Sequence, residues 1–100
     1  MLNFNSVVGF QWDAGNERKN ELKHAVSKGE AEEIFFNVPL LSSEDAAHSN
    51  LEPRFLALGI THSGRRLTVI FTLRDGGTLI RVISARDQHR KERALYDKAS

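Results

Sequence analysis

Hydrophobic and polar positions alternate along the second half of the 100-residue chain in a way that predicts a small β-sheet. Between residues 67 and 74, Leu67, Val69, Phe71 and Leu73 fall on one side of an extended strand, as expected where one face is buried. The segments before and after it are also rich in apolar and β-branched residues, and Gly-containing sequences separate them. Strands are predicted at 54–62, 67–74 and 78–85, with turns at 63–65 and 75–77. Three consecutive strands joined by tight turns predict an antiparallel meander.

The first half of the chain carries helical signals instead. Ser27 and Glu30 form a capping-box pattern, and Ala31, Ile34 and Phe35 follow it at helical spacing. This helix must end before Pro39, because the residue preceding a proline disfavours the helical conformation. The other predicted elements are a short strand at 9–12, a polar helix from an Asp13 N-cap to about His24, a loop at 40–53, and a final helix from an Asp87 cap to about Asp97.

These elements predict an α+β fold in which the helices cover one face of the antiparallel sheet. Leu67, Val69, Phe71 and Leu73 are expected to form the core side. The opposite, open face would then carry Thr72, Arg74 and Arg81. Arg81 lies in a strand that is apolar on both sides, so it needs either a partner or contact with solvent.

Length and composition restrict the class of protein. A chain of this size forms a single domain, and 40% hydrophobic with 27% charged residues is ordinary for a globular protein. There is no cysteine, which excludes disulfides and thiolate chemistry. The longest apolar run is too short to cross a bilayer and the N-terminus does not resemble a secretory signal. We therefore expect a cytoplasmic protein without a membrane partner.

The charge is unevenly distributed along the chain. Residues 1–50 contain four Lys or Arg and eight Asp or Glu, whereas residues 51–100 contain ten basic and five acidic residues. Eight of those ten basic residues are arginines, whose planar guanidinium groups match phosphate oxygens. The asymmetry favours a polyanionic partner, although folding could mix the two halves and cancel it.

An ordered set of short motifs resembles the BrnT family of ribonuclease toxins from bacterial toxin–antitoxin pairs. The motifs are FQWD (10–13), KN (19–20), KHAVS (23–27), EA (30–31), IF (34–35), HSNLEPRF (48–55), GITHSGR (59–65), TLR (72–74), RVISAR (81–86) and ERALY (92–96). Their order and spacing together are specific. The resemblance assigns residues 9–100 to one toxin domain after an extension at 1–8, and implies a fold similar to RelE-type toxins.

The resemblance also implies a function. We expect an endoribonuclease that cleaves RNA and inhibits translation. Its expected partner is a BrnA-like antitoxin, similar to ribbon–helix–helix proteins, that forms a hetero-oligomer with it. Operator DNA would be bound only through that complex. The chain departs from the family pattern at Gln11, Asn16, Ala25 and Pro53, where an acidic residue, a lysine, a glycine and an acidic residue are usual.

The residue types present suit RNA cleavage that needs neither metal nor cofactor. In that reaction the neighbouring 2′-OH attacks phosphorus, so the site needs proton carriers and cations that stabilise the phosphorane charge. The catalytic candidates are Arg65, Arg86, Arg81, His48 and Glu52. The RNA-binding candidates are Arg74, Thr72, Lys23, His24 and Trp12. Arg81 and Arg86 are expected to flank a phosphate on the open face, with Arg65 and Arg74 nearby.

Structural roles compete with each of these assignments. His24 can stabilise a helix C-terminus, Trp12 can pack in the core, and Arg81 can pair with Glu52 or Glu92. Tyr96 shares a helical stripe with Arg93 that suits packing on the sheet. The alternative function is a catalytically inactive module of the same fold that binds RNA or the antitoxin.

Overall fold

The computed structural model describes residues 4–45 and 52–100 and confirms the α+β class. Its strands are β1 (Gly9–Phe10), β2 (Leu41–Glu44), β3 (Phe55–Ile60), β4 (Arg66–Arg74) and β5 (Leu79–Asp87). Its helices are α1 (Lys19–His24), α2 (Lys28–Glu33) and α3 (Arg90–Ala99), and 3₁₀ turns occupy Phe4–Ser6 and Ile34–Phe36. No helix in the part of the chain that the structure describes is both long and apolar enough to cross a membrane.

The sheet is larger than the sequence predicts and is mixed rather than antiparallel. Its strand order is β1-β5-β4-β3-β2. The predicted meander of β3, β4 and β5 is confirmed, and β1 pairs in parallel with β5. Strand β2 lies within the predicted loop at 40–53 and pairs antiparallel with β3. Leu41 is partly buried, and the other three residues of this strand are polar and exposed. The sequence of β2 therefore shows no alternation of apolar and polar residues.

The predicted core side of β4 is confirmed. Leu67, Val69 and Phe71 are fully buried against Val26, Ala31 and Ile34 from α2 and its flanks. Gly59 permits this packing, because a Cβ at this position would come within 2.6 Å of the Ile34 side chain. Phe4 and Val7, in the segment expected to be an extension, also pack against this core.

Helices lie on both faces of the sheet, so the prediction that they cover one face is wrong. Helix α3 packs on the face opposite the core, where Thr68 donates to Glu92 at 2.9 Å and Arg66 pairs with Asp97 at 2.8 Å. Tyr96 is buried there and donates to the Pro39 carbonyl. Because α3 covers only part of this face, a groove remains beside it.

Two predicted helix starts are also wrong. Helix α1 begins at Lys19 with Arg18 at the N-cap, because Asp13 belongs to a turn in which its carboxylate accepts from the Gly15 amide. Helix α3 is capped by His89, whereas Asp87 ends β5. The Ser27–Glu30 capping box of α2 is confirmed.

Candidate functional site

The groove on the α3 side of the sheet has a floor made of one residue from each of four strands. Cross-strand register aligns Ser43 with Leu56, Leu56 with Ile70, and Ile70 with Ser84. At about 4.8 Å between neighbouring strands, this row spans roughly 14 Å. A register irregularity in β5 places Ile83 beside Ser84 on the same floor. The groove has a volume of about 610 Å³, which is enough for a nucleotide-sized ligand.

Charged side chains line the two ends of this groove. Lys19 and Arg86 lie at the β5 end, and Glu44, Asp45 and Arg54 lie at the β2 end. The β5 end can therefore bind an anion, while the β2 end offers both donors and acceptors. This combination suits a ligand that has a phosphate at one end and a polar, hydrogen-bonding edge at the other.

Two asparagines fix the position of Lys19 at the groove. The side-chain oxygen of Asn20 accepts from the backbone amide of Ala85 at 2.9 Å, and the side-chain amide of Asn16 donates to the backbone carbonyl of Val82 at 2.9 Å. Both asparagines are buried. Strand β1 pairs with only two residues of β5, and the asparagine side chains satisfy backbone hydrogen-bonding groups further along the same edge of β5. Asn16, a departure from the family pattern, thus has a structural role here.

Arg86 lines the groove and also holds α3 on the sheet. Its guanidinium donates to both carboxylate oxygens of Glu92, at 2.8 and 3.1 Å. Burial acts to raise the pKa of Glu92, but bonds from Arg86, the His89 amide and Thr68 lower that pKa to about 2. Arg86 remains partly exposed, with 26% of its side chain accessible, so it can contact a ligand in addition to Glu92.

Four other predicted residues gather on the same face at the opposite end of the strands. Arg81 pairs with Asp13 at 2.9 Å and donates to Gln11, and hydrogen bonds from Arg81 lower the pKa of Asp13. Neither expected partner of Arg81, Glu52 or Glu92, is the one found. Arg74 pairs with Glu52 at 3.0 Å. Thr72, expected to contact RNA, is instead buried and donates to the Pro53 carbonyl at 2.7 Å.

Arg65 does not line this groove, although its ion-pair partner Asp87 directly follows Arg86 in β5. It pairs with Asp87 at 2.7 Å and with Glu30 at 3.3 Å. It also donates to the backbone carbonyls of Ala25 and His24 at the end of α1. The Arg65 side chain lowers the pKa of Asp87 by hydrogen bonding. These contacts join two helices and a strand end, which is a structural role.

The remaining candidates are dispersed. Trp12 donates to Glu32 at 2.7 Å and packs against the core, whereas Lys23 is exposed on α1. His24 lies beside Arg65 and Asp87 rather than in the groove. His48 falls outside the described residues. Among residues 4–45 and 52–100, no group of three or more His, Asp or Glu side chains is arranged to hold a metal ion.

Most of the groove-lining residues are not among the candidates that the sequence suggests. Lys19 and Arg54 lie in the KN and HSNLEPRF motifs but were not selected as site residues. Ser43, Glu44 and Asp45 lie in the segment that was predicted to be a loop. The motifs could have drawn attention to Lys19 and Arg54, but the placement of β2 depends on pairing with β3.

Comparison with known protein families confirms the resemblance that the ordered motifs indicate. Residues 12–92 match the family described as ribonuclease toxin, BrnT, of type II toxin–antitoxin system. The chain belongs to the BrnT family. The match runs from Trp12 in the core to Glu92 in α3 and so includes every strand that forms the groove floor. Membership in the BrnT family implies an RNA substrate and an antitoxin partner. No curated protein matches the chain significantly.

Proposed function

We propose that this BrnT chain is a metal-independent endoribonuclease that inhibits translation and binds RNA in the groove beside α3, across strands β2 to β5. A BrnA-like antitoxin of the ribbon–helix–helix type would neutralise it in the cytoplasm, and their complex would bind operator DNA. The proposal includes a fold similar to RelE-type toxins, with residues 9–100 forming the toxin domain.

The observation that carries this proposal is that two cations, Lys19 and Arg86, lie together at one end of the groove. The chain belongs to a ribonuclease family, so a phosphate of RNA is the expected ligand for them. Lys19 is exposed and makes no ion pair within the part of the chain that the structure describes, so its charge is available to a phosphate. Arg86 is oriented by Glu92, which limits the motion of its guanidinium. A fixed guanidinium can stabilise charge that develops on phosphorane oxygens without reorganising during the reaction.

In the proposed reaction, the 2′-oxygen forms a bond to the adjacent phosphorus and the bond from phosphorus to the 5′-oxygen breaks. A base takes the 2′-OH proton, and an acid protonates the leaving 5′-oxygen, giving a 2′,3′-cyclic phosphate and a free 5′-OH. Glu44 and Asp45 line the groove and so join His48 and Glu52 as candidate proton carriers. Glu52 would have to act while it is paired with Arg74.

Arg81 and Arg74 have a secondary role in this proposal. Both lie on the groove side of the sheet. Arg81 is five residues from Arg86 on β5, but the register irregularity pairs them with Thr72 and Thr68, four residues apart on β4, so they are separated by roughly 13 Å. Arg81 and Arg74 would bind phosphates further along the RNA, through the guanidinium N–H groups that do not bond to their carboxylate partners. Their contacts with Asp13 and Glu52 make them weaker sites than Lys19 and Arg86.

The experiment that tests the proposal measures cleavage of a labelled single-stranded RNA by the purified chain in the presence of EDTA. Arg86→Lys should reduce cleavage by roughly 100-fold, because an ammonium group cannot replace the guanidinium fork. Arg66→Lys is the matched control. Arg66 also pairs with an α3 carboxylate on the same face, but it does not line the groove. Thermal melts establish that both variants are folded.

Four results would change the proposal. Cleavage that requires a divalent cation would contradict metal independence. Equal cleavage by folded Arg86→Lys and wild type would remove Arg86 from the site. If the folded wild type cleaves no RNA and also leaves translation in a cell extract intact, the inactive binding module becomes the better assignment. Translation arrest without cleavage of free RNA would instead indicate that the ribosome is needed.

A further inference from the structure

The groove floor has a chemistry of its own, distinct from the cations at its end. Leu56 and Ile70 are directly paired across β3 and β4, and Ile83 lies beside them. All three are only partly buried, so apolar surface faces the groove. Ser43 and Ser84 lie at the two ends of this apolar row. A phosphate-binding surface alone does not need an aliphatic floor between two hydroxyl groups.

We propose that this floor binds one unstacked nucleobase of the RNA and that Ser43 contributes to the choice of base; this inference rests on the proposed function. Lys19 and Arg86 at the β5 end would hold the phosphate of the same nucleotide. The ribose then lies over Ser84, and the base lies flat on Leu56 and Ile70. Its polar edge faces Ser43 at the β2 end.

The order of chemical groups along the groove supports this orientation. From β5 to β2 the lining runs from cations to a hydroxyl, then to aliphatic side chains, then to a hydroxyl with charged neighbours. A nucleotide has the same order: a phosphate, a ribose, the flat apolar face of the base, and its hydrogen-bonding edge. Base faces can pack on apolar side chains as well as on aromatic rings, and sequence-specific RNA recognition targets such splayed bases.

Ser43 is well placed to distinguish bases. Its hydroxyl can donate and accept, and Glu44, Asp45 and Arg54 add both kinds of group to that end of the groove. Ser43 is exposed on β2, so it has no competing role in the core. Trp12, an RNA-binding candidate in the sequence, is bonded to Glu32 and packs on the opposite face, so it does not compete with this floor.

The test uses small ligands, so that it does not depend on cleavage. The four nucleoside 5′-monophosphates and ribose 5-phosphate are titrated separately into the isotopically labelled chain, and binding is followed by NMR of the backbone amides of β3, β4 and β5. At least one nucleotide should bind roughly tenfold more tightly than ribose 5-phosphate, which lacks a base. The amides that shift should include those flanking Leu56 and Ile70.

Variants then locate the base. Ile70→Thr keeps a β-branched strand residue but reduces the apolar floor, and should remove most of the preference for nucleotides over ribose 5-phosphate. Leu56→Thr serves the same purpose if a thermal melt shows that Ile70→Thr is unfolded. Ser43→Ala should change the ranking of the four nucleotides. Ser42→Ala is the matched control, because Ser42 is the neighbouring exposed serine of β2 and does not line the groove.

The nucleobase site is refuted if ribose 5-phosphate binds as tightly as every nucleotide, if no nucleotide binds, or if both floor variants keep the wild-type preference. A chain that cleaves RNA but gives one of these results retains the proposed nuclease function and loses only the base site. A chain that prefers nucleotides but cleaves no RNA retains the base site and loses the nuclease function.

Discussion

The Arg86 guanidinium and the Glu92 carboxylate form a two-point ion pair that joins β5 to α3. The two bonds measure 2.8 and 3.1 Å, and only 26% and 19% of the two side chains is exposed. Glu92 also accepts from Thr68 and from the His89 amide, so one carboxylate links the strand, the helix N-terminus and the groove. Stability and the proposed site therefore depend on the same pair of residues.

Glu92 makes the stability of the chain depend on pH. Its pKa is about 2 in the folded chain, below the 4.5 that is ordinary for a glutamate carboxyl, so the folded state favours the charged form. The stabilisation is present above about pH 4.5 and is lost as the pH falls through about 2. Glu92→Gln should cost roughly 3 kcal/mol at neutral pH, and the difference in unfolding free energy from wild type should shrink on acidification.

Urea denaturation of wild type and Glu92→Gln between neutral pH and about pH 2.5 measures this difference. Asp97→Asn is the control, because the Arg66–Asp97 pair on the same helix is about half exposed and should contribute little at any pH. A Glu92→Gln difference that stays constant over the whole pH range would contradict the assignment.

Ala25 is predicted to destabilise the chain through its backbone. It is the C-cap of α1 and has a φ of 54°, in the left-handed region that favours glycine. The BrnT resemblance predicts a glycine at this position. Ala25→Gly should therefore raise the unfolding free energy by about 1 kcal/mol, even though glycine is usually destabilising in helices.

The matched control is Ala94→Gly, the same substitution at an exposed position inside α3. It should lower the unfolding free energy by about 1 kcal/mol, giving the two variants opposite signs. Thermal or urea denaturation measures both. If Ala25→Gly destabilises as much as Ala94→Gly, the left-handed conformation of residue 25 is not a source of strain.

Arg65 is predicted to act on folding rather than on RNA. Its bonds to Glu30, Asp87 and the end of α1 would all be lost in Arg65→Ala, leaving backbone carbonyls and carboxylates without this donor. We expect a loss of roughly 2–3 kcal/mol in unfolding free energy. At a temperature where the variant is fully folded, its rate of RNA cleavage should equal that of wild type.

Arg90→Ala controls for the change in net charge. Arg90 is exposed on α3, and no ion pair involves it among the residues that the structure describes. The Arg90→Ala substitution should change neither the unfolding free energy nor the rate of RNA cleavage. Loss of cleavage by folded Arg65→Ala, with Arg90→Ala active, would return Arg65 to the list of site residues that the sequence suggested.

The sequence predicted those parts of the fold whose signals are local. Alternating apolar residues identified β4 and its buried side, and the Ser27–Glu30 pattern identified the start of α2. Strand β2 was missed because three of its four residues are exposed and polar, and only its pairing with β3 makes it a strand. Helix α3 was placed on the wrong face because its amphipathic pattern does not show which side of the sheet it covers.

The candidate site was less predictable, because its charges are paired over long distances in sequence. Arg81 contacts Asp13, which is 68 residues away, and Arg65 contacts Glu30, which is 35 residues away. An arginine-rich strand therefore looked free to bind phosphate when its partners were already present in the other half of the chain. Lys19, by contrast, reaches the groove only because Asn20 bonds to Ala85, a contact that no local pattern reveals.

Lys19 gives the most direct electrostatic test of where RNA binds. It lines the groove and makes no ion pair in the described part of the chain, so Lys19→Ala removes a phosphate contact without leaving a carboxylate unpaired. Lys98→Ala makes the same change in charge on the exposed last turn of α3. Affinity for a single-stranded RNA with non-cleavable 2′-O-methyl riboses is measured at several salt concentrations for both variants.

Each phosphate contact contributes about 0.7 to the slope of log affinity against log salt for single strands. Lys19→Ala should therefore weaken binding at low salt and reduce the slope by about that amount, whereas Lys98→Ala should leave the slope unchanged. Equal slopes for Lys19→Ala and wild type would mean that the RNA backbone does not pass the β5 end of the groove. Equal effects of the two variants would indicate a diffuse response to net charge, in which case the groove has no special role in binding.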